Sequence, residues 1–430
     1  MAHDGREDAR RRAKTVWILN HYATPPGSGA GTRHHDLGQE LAQLGWRVTI
    51  FAAGFNHFTG REEQVTGARL SRTEAIGRVR FVWLRTTPYR GNGIRRILNM
   101  ASYFVTVMLF AQRVRPRPDA IVGSTVHPLA GLAAYLLARE FGARFYYEIR
   151  DLWPQTLIDI GAIRSDHPVA RALRLLERFL VARAEAVIGV MPGLGAYLDE
   201  HGERPRALEH LPNGVSLGQA DRRGPLPAPA GELLARWSDR CIVAYTGAHG
   251  TANGLGAVVD AAAILEDRGA AVGFAMVGDG PEKRTLEAER DRRGITNLAF
   301  LDPMGKDALA TFLAAVDIGL VNVASTPVHR YGVSFNKVFD YMAAARPIVF
   351  ACDTPFDPVA ESGAGVSVPP GDPVRLADAI ASLADLSGER RAALGARGRA
   401  HVEAAHDIAK LAVRLDALLR REPAPPVAAR

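Results

Sequence analysis

The chain has 430 residues, more than one hydrophobic core usually organises, so we expect two domains. Its 47% hydrophobic and 23% charged residues are typical of a globular protein and exclude a disordered or fibrous chain. The net charge is +7, but the sequence contains no helix-turn-helix, RNP or zinc-finger pattern, so we expect no nucleic-acid partner. The positive charge instead favours an anionic membrane surface or a phosphate-bearing substrate.

The ends of the chain and its cysteines predict a cytoplasmic protein. Residues 1–14 contain no apolar segment of the kind found in an export signal, and we expect them to be disordered. Cys241 and Cys352 have neither metal-ligand spacing nor the pattern of a disulfide framework. This favours a reducing compartment.

From residue 15 to about 200, apolar runs alternate with helical patterns. The runs predict strands at 15–20, 47–53, 78–85, 119–124, 143–149 and 186–190. Two of them, at 119–124 and 186–190, are continuously apolar, as in a parallel sheet that is covered on both faces. The alternation predicts a doubly wound α/β domain over residues 15–212.

The second half of the chain repeats this organisation. Residues 213–231 are rich in Pro, Gly and Asn and predict a linker. Strand-like runs begin again at Cys241 and predict a second doubly wound domain over 232–405, followed by a helix at 406–421 and a disordered tail at 422–430. Ligands of such domains bind at the carboxyl ends of the strands, so we expect the site in the cleft between the domains.

A glycine-rich loop follows the first strand of each predicted domain. Gly29 and Gly31 precede the first helix, and Gly247 has the equivalent place in the second domain. Such loops let backbone amides and a helix N-terminus approach a phosphate, although a flexible surface loop would have a similar composition.

Two polar segments follow strands of the first domain. His127 would either cap a helix or hydrogen-bond a substrate hydroxyl in the cleft. Further along, Arg150 and Asp151 would either anchor a loop as a pair or bind donor or acceptor hydroxyls, with Trp153 as a face on which a sugar stacks.

Two segments of the second domain carry charge near a predicted helix N-terminus. Lys283 lies in a first turn, where a cation opposes the helix dipole unless an anion binds; a solvated surface lysine is the alternative. The stretch "YGVSFNKVFDYMAAARPIVF", residues 331–350, places backbone amides ahead of a helix that carries Asp340. Its carboxylate would accept hydrogen bonds from the vicinal hydroxyls of a ribose, or would only stabilise the helix N-terminus.

The ordered set of motifs resembles the retaining glycosyltransferases of family 4. The resemblance spans about residues 15–410 and is carried by "GSGAGTRHHDLGQELAQLGWRVTIF", "GSTVHP", "IRDLWPQ", "LPNGV", "YTGAHGTANGL", "VGDGPEK" and "SFNKVFDYMAAARPIV". The chain is most similar to the WbuB-like branch that makes bacterial O-antigen and capsule. This implies a GT-B fold: two Rossmann-like doubly wound domains facing a cleft, acceptor in the first and donor in the second, with a C-terminal helix crossing back to the first domain.

The resemblance also implies roles for individual residues. Asp340 would hold the nucleotide ribose, and Lys283 would neutralise the diphosphate, with Gly29 and Gly31 close to it. His127 would contact the donor sugar near the reacting carbon. Sugar hydroxyls and phosphate would meet the amides around Val333, Ser334, Phe335 and Asn336. Two positions depart from the family pattern: Gly332 stands where the first acidic residue of the E-x7-E motif belongs, and the basic residue usual after the "YTG" strand is absent.

The implied activity is transfer of a sugar from a UDP-sugar to a lipid-linked or oligosaccharide acceptor in surface-polysaccharide synthesis. We expect an N-acetylated hexosamine or deoxyhexosamine as the sugar, and neither a metal nor another cofactor. One alternative is a nucleotide-sugar 2-epimerase on the same fold, with Glu148, Asp151 and His127 as acid/base groups. A non-catalytic protein that binds nucleotide sugars is the other.

Residues 93–118 bear on the acceptor. Arginines flank an apolar run that is too short to span a bilayer, which needs about 20 residues. The segment would lie on the anionic inner face of the membrane, making the protein peripheral there, or would form a buried core helix of the first domain.

Overall fold

The structure is a computed structural model that describes residues 13–26, 31–57, 59–91, 93–125 and 127–421. Gly29, residues 1–12 and the tail 422–430 lie outside the described residues.

The first domain is built on one large sheet. Its strands are β1 (Thr15–Leu19), β2 (Arg47–Ala53), β3 (Phe55–Asn56), β4 (Arg61–Glu62), β5 (Ser71–Ile76), β6 (Val79–Leu84), β7 (Ala120–Ser124), β8 (Arg144–Ile149), β9 (Ala186–Gly189) and β10 (Leu208–His210). Within the described residues, eight of these pair in the order β10-β9-β8-β7-β1-β2-β6-β5, and β3 and β4 form a separate hairpin. All six predicted strands are present. The two edge strands, β5 and β10, were not predicted, because both are short on apolar residues.

Helices cover both faces of this sheet. They are α1 (Arg33–Gln43), α2 (Ile94–Ala111), α3 (Pro128–Phe141), α4 (Gln155–Asp159), α5 (Pro168–Arg183) and α6 (Leu194–Glu200). Alternate residues of β1 point to opposite faces, so Trp17 packs in one core cluster and Ile18 in the other. Strands covered on both sides have no solvated face, which explains their continuous apolar sequence.

The second domain repeats the pattern with a smaller parallel sheet. Its strands are β11 (Cys241–Thr246), β12 (Val272–Val277), β13 (Leu298–Leu301), β14 (Ile318–Asn322), β15 (Ile348–Ala351) and β16 (Gly365–Val368), in the order β13-β12-β11-β14-β15-β16. Its helices are α9 (Gly256–Asp267), α10 (Lys283–Arg293), α11 (Lys306–Ala315), α12 (Asn336–Ala343), α13 (Pro358–Ser362), α14 (Pro373–Ala384) and α15 (Gly388–Ala405). This strand order is that of a Rossmann-like domain.

The segment between the domains is partly helical. Helices α7 (Leu217–Ala220) and α8 (Ala228–Arg236) lie in and beyond the stretch interpreted as a linker. Beside α7, the chain crosses between the domains a second time: the amide of Val215 donates to the His406 carbonyl at 2.9 Å, and the amide of Ile408 donates to the Val215 carbonyl at 3.1 Å. The two crossings therefore form one hydrogen-bonded hinge.

The last helix returns to the first domain, as the resemblance implied. Helix α16 (Ile408–Arg420) packs on α1, and its Leu411, Leu415 and Leu419 belong to a core cluster of the first domain. The indole N–H of Trp46 donates to the Asp416 carboxylate at 2.6 Å, which fixes the helix further. The first core is therefore closed by residues from the far end of the chain.

Helix α2 lies within the segment 93–118 that the sequence singled out, ends earlier, at Ala111, and is covered on one side only. Residues Asn99, Met100, Tyr103, Val107 and Ala111 form its buried face against the sheet and α3. Within the described chain it is the one helix long and apolar enough to cross a membrane by length and composition alone, with 18 residues, a mean hydropathy of 1.3 and 28% of residues buried.

Candidate active site between the two domains

The first glycine loop meets the second domain at one point of the cleft. A Cβ atom added at Gly31 would lie 2.6 Å from the Asn336 side-chain nitrogen, so a side chain at position 31 would collide with it. The hydroxyl of Thr24 donates to the Gly31 carbonyl at 3.0 Å and holds the loop in this position. The fold thus brings together two predicted donor-site residues that are 305 positions apart in the chain (336 − 31).

The segment ahead of α12 is fixed by the hinge. The backbone N–H of Asn213 donates to the Ser334 hydroxyl at 2.9 Å, and its side-chain amide donates to the Ser334 carbonyl at 2.6 Å. Val333 and Phe335 pack against the core of the second domain. The Ser334 side chain therefore holds this turn in place, and the backbone amides of the turn are left for a ligand.

Those amides have no protein partner in the part of the chain that is described. Backbone N–H groups 333–337 donate to no described atom, and Phe335 at the N-cap offers no side-chain cap. Uncapped amides at the positive end of a helix bind anions and hydroxyl oxygens. A phosphate or sugar oxygen would satisfy them.

Asp340 lies one turn into α12 and is half-buried. Its carboxylate makes no hydrogen bond or ion pair with any described residue. Burial raises its pKa to about 6, and the charge of Lys306 opposes this rise while that of Asp36 adds to it. A carboxylate held without donors in a cleft is a ready acceptor for two hydroxyl groups.

An ion pair across the cleft lies close to Asp340 and was not foreseen from the sequence. The ammonium of Lys306, at the start of α11, is 3.1 Å from the Asp36 carboxylate on α1 and also donates to the Thr32 hydroxyl. Burial would raise the pKa of Asp36, but hydrogen bonds from His35 and Thr32 and the charge of Lys306 lower it. Only the scarcity of lysine, five among 53 basic residues, could have drawn attention to Lys306.

The glycine loops of the second domain press against one another. Gly247 has a φ of +140°, and a Cβ at Gly278 would lie 1.9 Å from the Gly247 carbonyl oxygen. Lys283 stabilises this turn: its ammonium donates to the Asp302 carboxylate at 2.7 Å and to the Gly278 carbonyl at 3.1 Å. The ammonium of Lys283, which was expected to bind a diphosphate, is therefore already paired with a carboxylate.

His127 lies at the N-terminus of α3, buried in the first domain. Its Nε2 is 2.7 Å from Nδ1 of His21, whose ring stacks on Tyr22 and Tyr103. Burial, and then the charge of Arg96, lower the pKa of His127 to about 3. At neutral pH it is therefore an uncharged imidazole, able to hydrogen-bond but not to supply positive charge.

The loop after β8 is anchored through Thr125 and not by an Arg150–Asp151 pair. The hydroxyl of Thr125 accepts from the amides of Arg150 at 2.9 Å and Asp151 at 3.4 Å. No ion pair joins Arg150 to Asp151 within the described residues. Asp151 is exposed, whereas Trp153 and Arg150 are half-buried, and no hydrogen bond or ion pair among the described residues joins them to the segment before α12.

Glu148 is committed to a buried network behind the first glycine loop. Its carboxylate accepts from Arg33 at 3.0 Å and lies 2.6 Å from Nε2 of His34. The Arg33 guanidinium also donates to the Leu211 carbonyl at 2.8 Å, so α1 is tied to the hinge. Burial alone would raise the pKa of Glu148, but His34 and Arg33 hold it well below its usual range.

The backbone explains why Gly332 replaces the first acidic residue of the family motif. Its φ is +91°, and an added Cβ would lie 2.6 Å from Cγ of Pro192 in the first domain. The Gly193 amide donates to the Tyr331 carbonyl at 2.8 Å, and this hydrogen bond holds the two loop segments together. A glutamate here would be strained by the positive φ, and its Cβ would force the contact with Pro192 to shift.

No group of three or more His, Cys, Asp and Glu side chains arranged to hold a metal occurs among the residues described.

Two facing Rossmann-like domains, with loops of both at the carboxyl ends of the strands, define a GT-B glycosyltransferase architecture. The chain belongs to this enzyme class by sequence family: the "Glycosyl transferase 4-like domain" matches residues 28–214, and the "Glycosyl transferases group 1" domain matches residues 240–385. It is therefore a glycosyltransferase of the family that its motifs resemble, a family of retaining enzymes.

Two curated relatives and one solved structure illustrate the match. The chain is 23% identical over 299 residues to the probable glycosyltransferase WbjE of Pseudomonas aeruginosa, covering 68% of this chain and 72% of WbjE. It is 27% identical over 322 residues to the putative colanic acid biosynthesis glycosyl transferase WcaI of Escherichia coli K12, covering 71% and 75%. The structure of HepE from Anabaena, in complex with UDP and glucose, superposes with a TM-score of 0.66 at 14% identity, covering 94% of this chain and 99% of HepE.

Proposed function

We propose that the protein transfers a sugar from a UDP-sugar to a hydroxyl of a lipid-linked or oligosaccharide acceptor, with retention of anomeric configuration, in bacterial surface-polysaccharide synthesis. The observation that carries the proposal is a cluster of groups, in the turn before α12 and in α12 itself, that have no partner among the described residues. Amides 333–337 and the Asp340 carboxylate have no described hydrogen-bond partner, and the ribose and phosphates of a nucleotide offer complementary groups. HepE, which shares the fold, was crystallised with UDP and glucose.

The reaction we propose requires no protein nucleophile. The acceptor oxygen attacks the anomeric carbon from the face that the leaving group departs, the bond from that carbon to the phosphate oxygen breaks, and the departing phosphate takes the acceptor proton. The residues at the cleft would stabilise the charge that develops on the diphosphate. The expectation of no metal belongs to this proposal, as does an N-acetylated hexosamine or deoxyhexosamine as the sugar.

The 2-epimerase alternative is less well supported. It needs acid and base groups free to exchange protons with the sugar, but of the three expected groups only Asp151 is exposed: Glu148 is enclosed with Arg33 and His34, and His127 is paired with His21. A purely binding role finds no support in a family of transferases.

Thermal stabilisation by nucleotides tests the proposal first. We expect UDP and UDP-N-acetylhexosamines to raise the melting temperature of the wild type, because a ligand at a hundredfold excess over Kd adds about 2.7 kcal/mol. GDP and ADP should do so less. The increase should disappear in Asp340→Ala and persist in Glu389→Gln, which changes an exposed carboxylate of α15. No stabilisation of the wild type by any of these would refute a nucleotide-sugar donor, and chromatography of products would separate transfer from epimerisation.

We also propose that α2 rests on the anionic inner face of the membrane, where a lipid-linked acceptor is presented. Large apolar side chains on its outer face are more than half exposed: Ile94, Ile97, Leu98, Val105 and Leu109. Exposed Arg95 at one end and Arg113 and Arg115 at the other would pair with anionic headgroups.

Vesicle binding tests this contact. The double variant Leu98→Glu/Val105→Glu should lose binding to vesicles containing phosphatidylglycerol while keeping its melting temperature, since both side chains are exposed. A matched change on another surface, Val413→Glu on α16, should bind as the wild type does. Equal binding by all three proteins would contradict a role for α2.

A further inference from the structure

The ammonium of Lys337, at the second position of α12, has only neutral partners in the described structure. It donates to the Tyr245 hydroxyl at 2.9 Å and the Asn253 side-chain oxygen at 3.3 Å, and it lies 4.1 Å from the centre of the Tyr245 ring. The Tyr245 hydroxyl donates to the Ala248 carbonyl at 2.8 Å, so its oxygen is oriented to accept from the lysine. No carboxylate of the described chain comes within 4 Å of this ammonium.

This arrangement is unfavourable for a cation in the absence of an anion. A positive charge in the first turn of a helix opposes the helix dipole. Burial lowers the pKa of Lys337 to about 7, with no compensating charge. Lys283, in the first turn of α10, differs because Asp302 pairs with it.

The space beside Lys337 has the features of an oxyanion pocket. A Cβ at Gly247 would lie only 3.2 Å from the Lys337 nitrogen, so the glycine leaves this side of the ammonium uncovered. His249, on the same loop, is fully buried, and neither ring nitrogen has a partner among the described residues. Amides 333–337, which have no described partner, are further donors from the segment that carries Lys337.

We propose that Lys337, and not Lys283, is the cation that receives the diphosphate of the donor nucleotide. The assignment rests on the proposed function, because it names the residue that would bind the leaving group of that reaction. Asn253 and Tyr245 orient the ammonium, and His249 adds a hydrogen bond to the same group. Lys283 instead keeps the neighbouring glycine turn closed. A lysine from α12 thereby replaces the basic residue missing after the "YTG" strand.

Titration calorimetry of the full chain with UDP, UMP and uridine tests the assignment. Lys337→Met should weaken UDP binding by roughly 10- to 100-fold, the loss typical of a charge-assisted hydrogen bond, and should leave uridine binding within about twofold. Lys337→Arg should recover part of the affinity. Lys410→Met, an exposed charge on α16, controls for the loss of net charge and should bind UDP as the wild type does.

The outcomes separate the two proposals. If the wild type binds UDP and Lys337→Met binds it equally well, or if Lys283→Met loses more affinity than Lys337→Met, the assignment is wrong and the proposed function stands. If the wild type binds no nucleotide, the proposed function fails and the assignment with it.

Proton uptake gives a second and independent measurement. The other groups facing Lys337 are neutral at pH 8, since burial raises the pKa of Tyr245 and lowers that of His249 to about 4. Lys283 and Asp279 are the charged groups next to His249. A lysine with a pKa near 7 is roughly 90% uncharged at pH 8, so UDP binding should take up about 0.9 proton, measured in buffers of different ionisation enthalpy. No uptake by the wild type, or equal uptake by Lys337→Met, would overturn the assignment.

Discussion

Asp340→Asn should stabilise the unliganded protein while removing its response to UDP. In the folded chain the carboxylate has a pKa of about 6, against an ordinary value of 3.8, because burial disfavours its charge. At about 1.4 kcal/mol per pH unit, this difference corresponds to roughly 3 kcal/mol of destabilisation above pH 6. Solvent around a half-buried group reduces the effect, so we expect a gain of about 1–2 kcal/mol in the variant.

The sign of the pH dependence distinguishes this cause from others. The folded wild type binds the extra proton more tightly than the unfolded chain, so its stability rises as pH falls from about 6 to 4. The advantage of Asp340→Asn should therefore be full at pH 7.5 and vanish near pH 4.

Thermal and urea unfolding at pH 7.5, 6 and 4.5 measure this difference. We expect a melting temperature about 2–8 °C higher for the variant at pH 7.5, taking 2–4 °C per kcal/mol for domains of this size. The control Glu389→Gln, at an exposed position, should change by less than about 0.5 kcal/mol at every pH. A variant that is equally or less stable at pH 7.5 would refute the view that Asp340 is held in an unfavourable state for a ligand.

Two further substitutions test the packing around the site. Gly332→Ala should lower stability by about 1–3 kcal/mol in thermal unfolding, because φ is +91° and the new methyl group meets Pro192; an unchanged melting temperature would contradict the tight contact. Glu148→Gln should cost about 3–5 kcal/mol by leaving the Arg33 guanidinium buried without its carboxylate, whereas the exposed pair Arg164–Asp166 should tolerate Asp166→Asn with little change. Comparable effects of these last two changes on urea unfolding would argue against the buried network.

The α/β fold could be predicted because its signal is local. Strands such as β7 and β9 are continuous apolar runs between helical patterns, and each can be recognised without knowing its neighbours. Strand β5, by contrast, is mostly exposed and polar, and it exists because its backbone pairs with β6 over six residues. Its pairing is a long-range property that no periodicity within residues 71–76 records.

The candidate site was predictable in its location but not in its contacts. Motif order and the placement of loops after strands pointed to Gly31, Asn336 and Asp340, which the fold brings to one cleft. The partners of Lys283 and Lys337 could not be predicted. Asp302 contacts Lys283, and Tyr245 contacts Lys337, only once the second sheet has formed.

By itself, the sequence determined the class of fold, the family and the loops that carry the chemistry, because hydrophobic periodicity and short motifs depend only on residues that are close together in the chain. Only the tertiary structure decided which charges are paired. It also decided that position 332 has a positive φ and a close contact with Pro192, and that one face of α2 stays uncovered. These properties depend on backbone dihedral angles and on atoms brought together from distant parts of the chain, and neither has a local signature.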